Sequence, residues 1–235
     1  VRMTGARARP PFLRCSPHVI DPFAVKKLDA VLATHFHRDH ICQYVAAAAL
    51  NNTEAVFIGP RMCGDMWASW GVPEKRILRI KPGDTYTVKD VEIIAVESFD
   101  RTALITPPPT GNLRGKMPPN MDERAVNYVI KTSGGTIYHS GDSHFSNGYY
   151  KHGKQHDIDV CFVSYGENGR GMTDKVTASD TLRIAWNLNA RVLIPIHYDM
   201  WSAQHADANE LILLHEFNKH IMKFKLVIWK VGGKF

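Results

Sequence analysis

Six consecutive residues hold the densest group of metal-binding side-chain types in the sequence. The stretch His35-x-His37-x-Asp39-His40 places three imidazoles and one carboxylate close together. Residues two apart in an extended loop point to one side, so we expect His35 and His37 to hold one cation. Asp39 and His40 are expected to point in a different direction and to hold a second cation. Imidazole nitrogens and carboxylate oxygens both bind divalent ions, so the pattern predicts a two-metal site.

Three further candidate ligands follow the predicted ends of later strands. Asp142 comes directly after Gly141 and is the candidate carboxylate that bridges the two ions. His197 ends the apolar run Val192–Ile196 and is a candidate ligand. Asp100 could complete the coordination of the first ion or cap the turn that follows it, and the sequence leaves both roles open. A catalytic metal site also keeps a coordination position for water.

The elements that would carry these ligands alternate between apolar runs and helical patterns. The sequence predicts helices over residues 41–50, 61–70, 146–154, 177–188 and 207–219. It predicts strands over residues 30–34, 56–58, 77–80, 85–88, 91–98, 125–131, 136–140, 159–164, 191–197 and 225–231. Residues 102–124 contain five prolines and are expected to form a long loop. The candidate ligands fall where four of the strands end, which is where α/β folds gather functional residues.

Length and composition are those of one globular domain. The chain has 235 residues, of which 44% are hydrophobic and 22% are charged. No apolar run approaches the roughly 18 residues that a membrane-spanning helix needs. The sequence therefore predicts no association with a membrane.

Positive charge is concentrated at the start of the chain. Of the 29 basic residues, four arginines precede Asp21, the first acidic residue, which leaves 25 basic against 23 acidic side chains in the rest. Proteins that bind nucleic-acid backbones gather Lys and Arg along one face. A nearly neutral body argues against a nucleic-acid partner.

The four cysteines are widely spaced and form no C-x-x-C pair: Cys15, Cys42, Cys63 and Cys161. This spacing indicates reduced thiols that serve as small apolar side chains. Reduced thiols are typical of the cytoplasm, which is where we expect the protein to reside.

The order of the metal-binding motifs resembles that of the metallo-β-lactamase superfamily. The histidine motif comes first, then Gly141-Asp142 at a strand end, and then His197. Within that superfamily, the chain is similar to the L-ascorbate-6-phosphate lactonases from about Pro17 to Phe235. The segments that carry this similarity are Asp21–Phe23, Asp29–His35, Phe57–Pro60, Trp70–Pro73, Phe99–Thr106, Arg124–Tyr128, Tyr138–His144, Ser164–Asn168 and Val231–Phe235.

The resemblance implies an α/β fold, namely an αββα sandwich with mixed sheets and a two-metal site at one sheet edge. Residues 21–235 are expected to form a single metallo-β-lactamase-like hydrolase domain, preceded by an irregular basic segment over residues 1–20. Superfamily members carry a block of strands before the first histidine motif and continue past the Gly-Gly-Lys-Phe stretch. The chain is therefore expected to be a fragment, incomplete at its N-terminus and lacking a C-terminal tail.

The resemblance also implies an activity. A metal-dependent lactonase of this family opens the lactone ring of L-ascorbate 6-phosphate to 3-keto-L-gulonate 6-phosphate, using a hydroxide held by two metal ions. Asp39 and Asp142 would orient that hydroxide. His144 would either protonate the leaving alkoxide or orient another residue of the site by a hydrogen bond. The family implies manganese, whereas the histidine-rich ligand set also permits zinc. We expect a small sugar-phosphate lactone as the partner, and a homo-oligomer.

A sugar-phosphate substrate needs cationic groups that bind a dianion. The candidates are Arg101, Arg124, Arg170 and Lys175. Two alternatives to the lactonase stay open at this point. One is a metal-dependent phosphodiesterase or nuclease of the same superfamily, and the other is a catalytically inactive remnant that acts as a subunit or binding module.

Overall fold

The computed structural model describes residues 13–16, 19–106, 120–168, 175–229 and 232–233. Helices and strands alternate along these ranges. The helices are α1 (Gln43–Asn52), α2 (Arg61–Ser69), α3 (Arg101–Ile105), α4 (Gly148–Gln155), α5 (Ala178–Asn187) and α6 (Ala208–Asn218). The strands are β1 (Ala30–Leu32), β2 (Val56–Gly59), β3 (Ile77–Arg79), β4 (Thr85–Val88), β5 (Val91–Glu97), β6 (Val126–Thr132), β7 (Gly135–His139), β8 (Val160–Ser164), β9 (Val192–Ile196) and β10 (Lys225–Leu226). Short 3-10 helices cover Pro22–Ala24, Glu74–Arg76 and Met121–Glu123.

The strands form two sheets. The smaller sheet has the order β1-β2-β3, and all of its strands are parallel. The larger sheet has the order β10-β9-β8-β7-β6-β5-β4. Strands β4 to β7 pair antiparallel and β7 to β10 pair parallel, so this sheet is mixed. Parallel neighbours require crossover connections, which α4, α5 and α6 supply in this sheet.

Three apolar clusters separate four layers. One cluster joins α2 to the smaller sheet through Phe57 and Trp67, and another joins α4, α5 and α6 to the larger sheet through Tyr138 and Leu182. The third lies between the two sheets and includes Tyr128. This arrangement of helix, sheet, sheet and helix confirms the predicted αββα sandwich with mixed sheets.

One buried tyrosine joins the strand that precedes the histidine motif to the larger sheet. The hydroxyl of Tyr128 on β6 donates towards two backbone carbonyls of the smaller sheet, Ala33 O at 2.9 Å and Ile58 O at 3.2 Å. The amide of Ala33 donates to the same Ile58 carbonyl at 3.0 Å. A buried hydroxyl rarely goes without a partner, so these contacts fix the spacing of the sheets just before the motif.

Two predicted elements differ from the structure. The prediction of one loop over residues 102–124 is wrong at both ends, where α3 and the 3-10 helix Met121–Glu123 form, while residues 107–119 lie outside the described residues. Helix α3 spans only five residues, which is too short for a periodic pattern to reveal. Of the predicted strand over residues 225–231, the part that the structure describes ends at residue 229, and within it β9 pairs with Lys225 and Leu226 alone. Most of the predicted irregular segment over residues 1–20 also lies outside the described residues.

The four cysteines are free thiols, and two of them, Cys63 and Cys161, are buried. No helix among the described residues is both long enough and apolar enough to cross a lipid bilayer.

Close packing of α4 against the end of α5 requires glycine at position 153. A Cβ at Gly153 would lie 2.5 Å from the backbone oxygen of Asn187 and 2.6 Å from the carbonyl carbon of Leu188. Because backbone atoms cannot rotate away, we expect Gly153→Ala to lower the free energy of unfolding by about 2 kcal/mol, measured by urea denaturation. Gly134→Ala is the matched control, since its nearest contact would be an ordinary 3.6 Å. Equal stability of the two variants would contradict the packing argument.

Candidate metal centre

The histidine motif begins where β1 leaves the smaller sheet. The carbonyl of Thr34 accepts a hydrogen bond from Val126 N at 2.8 Å, and His35 forms a bridge with Ala125, so the chain passes from one sheet to the other. A tight turn follows, in which His40 N donates to His37 O at 2.9 Å. This turn brings the second half of the motif back beside the first.

The first group of ligand atoms comes from His35, His37 and Asp100, which lie within 4.8 Å of one another. His35 Nε2 is 2.9 Å from His37 Nδ1 and 3.6 Å from Asp100 Oδ2. His35 Nδ1 lies 3.1 Å from the Thr34 hydroxyl, which orients the ring. The three side chains can therefore hold one divalent ion.

Asp100 caps α3 with one carboxylate oxygen and leaves the other in a position where it can contact an ion. Its Oδ1 accepts hydrogen bonds from Ala103 N and the Thr102 hydroxyl, both at 2.9 Å, and so caps α3. Its Oδ2 is buried, has no hydrogen-bond partner among the described residues, and faces His35. One carboxylate oxygen thus holds the helix while the other is available to an ion.

The two roles of Asp100 can be separated by substitution. Asparagine at position 100 retains a capping oxygen but has no negative charge, whereas alanine has neither. We expect both variants to bind metal more than about tenfold more weakly, measured by equilibrium dialysis. Only Asp100→Ala is expected to lose a further ~1 kcal/mol of unfolding free energy in the metal-free protein. Unchanged metal affinity in Asp100→Asn would show that Oδ2 is not a ligand.

The second group comes from Asp39, His40 and His197. His197 Nε2 is 3.2 Å from Asp39 Oδ2, and His40 Nε2 is 3.8 Å from the same oxygen. His197 follows the end of β9 with a φ of 76°, a left-handed conformation that is uncommon for a residue with a side chain. Both histidine rings are held almost parallel, with centroids 5.5 Å apart.

Asp142 lies between the two groups. Its Oδ1 is 3.4 Å from His40 Nε2, its Oδ2 is 3.6 Å from His197 Nε2, and it shares a third group with His35 and His40. Gly141 allows this approach, since its φ is 51° and a Cβ there would lie 2.8 Å from the Thr34 hydroxyl. A carboxylate in this position can contact ions held by either group.

Charges within the centre shift the protonation of its members. Burial lowers the pKa of His40, but the charges of Asp142 and Asp39 and the contact with Asp142 together raise it above its ordinary value. Burial, and then the charge of His40, lower the pKa of His35. Burial would raise the pKa of Asp142, but the charges of His40 and Lys175 hold it well below its usual range. A histidine binds a metal through its neutral imidazole, so the raised pKa of His40 makes metal binding weaker in acid.

Several nitrogen and oxygen atoms of the candidate ligand residues are buried without a hydrogen-bond partner among the described residues. They are His37 Nε2, His40 Nε2, Asp100 Oδ2 and His197 Nδ1. Buried polar atoms are nearly always paired, so a cluster of unpaired ones on histidine and aspartate side chains fits a site that binds metal ions. Histidines and carboxylates at these spacings suit a pair of divalent ions.

The candidates for phosphate binding and acid catalysis occupy different environments. The Lys175 ammonium is buried and donates to Asp142, and Arg124 is buried and donates to Thr106 O at 2.8 Å. Arg101 is exposed at the start of α3. Its amide lies 3.4 Å from His144 Nδ1 and donates to it. Arg170 lies outside the described residues.

Three side chains at the centre were not anticipated. Trp201 Nε1 donates to Asp39 Oδ2 at 3.1 Å, and the Ser164 hydroxyl donates to Asp142 Oδ1 at 3.4 Å. The third is Thr34, beside His35. Ser164 ends β8 and Thr34 follows β1, and both strands reach the centre, which is a signal that sequence analysis could have used. Trp201 follows His197 in an irregular segment and carries no such signal.

Comparison with known proteins adds sequence relatives to this geometry. Residues 5–198 match a family described as a beta-lactamase superfamily domain. The whole chain is 55% identical over 238 residues to the "Probable L-ascorbate-6-phosphate lactonase UlaG" of Escherichia fergusonii, covering 67% of that protein. A protein of the same name from Escherichia coli O139:H28 is 54% identical over the same length.

Solved structures share the fold at low sequence identity. The metallo hydrolase Igni18 from the archaeon Ignicoccus hospitalis superposes with a TM-score of 0.65 at 17% identity, covering 86% of this chain and 76% of the other. The metallo-beta-lactamase fold protein YhfI from Bacillus subtilis gives a TM-score of 0.58 at 15% identity, covering 86% of this chain and 75% of the other. These likenesses concern architecture alone.

Proposed function

Because the chain belongs to the L-ascorbate-6-phosphate lactonase family of the metallo-β-lactamase superfamily, we propose that it is a metal-dependent hydrolase that opens the lactone ring of L-ascorbate 6-phosphate. The observation that carries the proposal is the convergence of the candidate ligands into three overlapping groups. Relatives that are 55% identical and named lactonases favour this activity over the phosphodiesterase, nuclease and inactive remnant.

Each side chain of the centre has a separate role in the proposed hydrolysis. Two divalent ions, when bound, supply Lewis acidity and lower the pKa of a water molecule towards neutrality. Asp142, which lies between the two groups, accepts a hydrogen bond from the attacking water and so orients it. Asp39 assists it, held in place by Trp201 and His197. These positions are fixed before substrate arrives, which reduces the reorganisation that the reaction needs.

His144 is the proposed acid for the leaving alkoxide. Its Nδ1 accepts a hydrogen bond from the backbone amide of Arg101 at 3.4 Å. The neutral ring then carries its proton on Nε2, which can donate to the alkoxide as the ring of the lactone opens.

For the substrate phosphate, we propose Arg101 and Arg170 as the cationic partners. Arg101 is exposed and adjoins Asp100, so it can reach a ligand at the centre. Arg124 is buried with its guanidinium over the Phe36 ring, 5.6 Å from the centroid, and holds the Thr106 carbonyl. Lys175 bonds to Asp142, so we assign it to the charge balance of the centre rather than to the phosphate.

Manganese is the proposed metal. Three carboxylates among the candidate ligands favour a hard ion such as Mn²⁺, whereas the four histidines also accept Zn²⁺. Metal analysis of protein purified from cells grown with both metals distinguishes the two. We expect a predominance of manganese, and about two ions per chain.

The decisive experiment compares two activities of the metal-loaded protein. One is the opening of the lactone ring of L-ascorbate 6-phosphate, and the other is the hydrolysis of a generic phosphodiester. Chelation followed by desalting is expected to abolish lactone opening, and adding Mn²⁺ back is expected to restore it, because the ions supply the Lewis acidity. Phosphodiester hydrolysis without lactone opening would favour the nuclease alternative. Tight metal binding with neither activity would favour the binding module.

We also propose that the chain assembles into a homo-oligomer in the cytoplasm. Large apolar side chains are exposed on the outer helices, and Phe217 on α6 is 78% exposed. Trp186, Leu213 and Ile221 are exposed as well, and exposed apolar surface is typical of interfaces. The four free thiols are compatible with a reducing compartment. Light scattering of the wild type and of Phe217→Ser tests the assembly.

A further inference from the structure

A line of hydrogen-bonded side chains leads from the metal centre to the surface, and none of its members is a candidate ligand. We call it the polar chain, and its members in order are Ser98, Ser143, Asn127, Tyr138, His152 and Glu97. The successive contacts measure 2.9, 2.7, 3.0, 2.8 and 2.9 Å. All members except Glu97 are buried, whereas the side chain of Glu97 is 42% exposed.

The hydrogen bonds of the polar chain all run in one direction. The Glu97 carboxylate can only accept, so His152 donates from Nε2 and accepts at Nδ1 from the Tyr138 hydroxyl. The Tyr138 oxygen then accepts from the amide of Asn127, whose own oxygen accepts from the Ser143 hydroxyl.

Two protonation states maintain this direction. Burial lowers the pKa of His152, which keeps the imidazole neutral with a single N–H. A hydrogen bond from Lys151 lowers the pKa of Glu97 to about 2, which keeps the carboxylate ionised near neutrality.

The inner end of the polar chain joins two segments that carry candidate ligands. The Ser143 hydroxyl oxygen, next to Asp142, accepts from Phe99 N at 2.9 Å and from the Ser98 hydroxyl. The Ser98 oxygen accepts in turn from Asp100 N at 3.3 Å. The segment after β5 and the segment after β7 are therefore tied together by hydroxyls whose orientation depends on Asn127.

The polar chain cannot conduct protons over its length. The side-chain amide of Asn127 interrupts it, because an amide does not accept a proton at one end and release one at the other in the way that hydroxyls and imidazoles do. What the polar chain does transmit is orientation, since each donor leaves its neighbour only one arrangement that satisfies every buried group.

We propose that Tyr138, His152 and Glu97 are positioning residues for the metal centre. By fixing the side chain of Asn127, and through it the Ser143 hydroxyl, they hold Asp100 and Asp142 at the separation that two divalent ions require. This inference rests on the metal-binding role proposed above. It adds remote residues, contributed by α4 and by β5 to β7, to the determinants of metal affinity.

Tyr138→Phe is the principal test, with Mn²⁺ as the probe. Removing the hydroxyl leaves Asn127 and His152 without their shared partner, and we expect the Mn²⁺ dissociation constant of the metal-stripped full chain to rise about tenfold. Tyr165→Phe is the matched control, since this buried tyrosine bonds Asp207 O and Glu210 Oε2 outside the polar chain. It is expected to show a similar fall in Tm with unchanged Mn²⁺ affinity, which separates positioning from general stability.

A second pair of variants avoids the buried core. Glu97→Ala removes the terminal acceptor and is expected to weaken Mn²⁺ binding several-fold. Glu97→Gln retains an acceptor oxygen and is expected to bind Mn²⁺ as tightly as the wild type. Wild-type Mn²⁺ affinity in both Tyr138→Phe and Glu97→Ala would overturn the inference. If the wild-type protein binds Mn²⁺ but does not open the lactone, the proposed function is overturned. The positioning role would still stand in that case, because it is measured by the Mn²⁺ affinities of the variants. Wild-type protein that binds neither Mn²⁺ nor Zn²⁺ would overturn both.

Discussion

Replacing Asp142 by asparagine is expected to lower lactone turnover by roughly 1000-fold or more. Asp142 approaches both His40 and His197 and shares a ligand group with His35, so it is the carboxylate best placed to contact two ions. An asparagine oxygen is neutral and cannot balance the charge between two cations. Bound metal, measured by elemental analysis, is expected to fall in parallel. Retained activity would contradict the bridging assignment.

The same substitution also removes the carboxylate that bonds the Lys175 ammonium. Breaking a buried ion pair from one side leaves an uncompensated charge, and we expect a loss of about 3 kcal/mol in the free energy of unfolding. Adding Lys175→Met to Asp142→Asn is the control. The double variant is expected to regain most of the lost stability, by urea denaturation, but none of the activity. Activity restored along with stability would assign the defect to folding instead of chemistry.

Substitutions at His197 are expected to abolish turnover. They are also expected to reverse the usual order of stability, in which a protein with alanine is more stable than one with glycine. Both variants lack the imidazole, so both should lose roughly 100-fold or more in activity. The φ of 76° at this position costs about 1 kcal/mol for a residue with a Cβ and little for glycine. We therefore expect metal-free His197→Gly to be more stable than His197→Ala by about 1 kcal/mol.

Thermal unfolding of the two metal-free His197 variants provides the measurement. Both lack the same ring, so the loss of its packing against His40 is common to both and cancels in the comparison. Alanine at position 197 that is as stable as glycine, or more stable, would show that the left-handed backbone carries no strain. Such strain is found chiefly where function maintains it.

Local patterns predicted most of the secondary structure because most elements are stabilised within their own segments. The strand before the histidine motif and the helix after it have apolar runs of the right length, and both form close to their expected bounds. Helix α3 was missed because it depends on a cap from Asp100 and not on periodicity. Strand β10 is shorter than its apolar run suggests, because the run indicates burial and does not show how many residues pair with β9.

The candidate ligands could be predicted for a similar reason, since His35, His37, Asp39 and His40 are neighbours in sequence. The supporting contacts could not, because they join distant residues. Glu97 and His152 are 55 positions apart, and Lys175 is 33 positions from Asp142. Such pairs are determined by sheet order and helix packing, which composition and periodicity do not reveal. The polar chain was therefore visible only in three dimensions.

The centre draws on both sheets, and this has a consequence for the life of the molecule in the cell. The histidine motif leaves the smaller sheet at β1, whereas Asp100, Asp142 and His197 leave the larger one at β5, β7 and β9. Ions held between them would link the two sheets and stabilise the folded state. Metal supply would then govern resistance to proteolysis as well as catalysis. Metal starvation would then shorten the lifetime of the protein, and cells short of the ion would clear the idle enzyme.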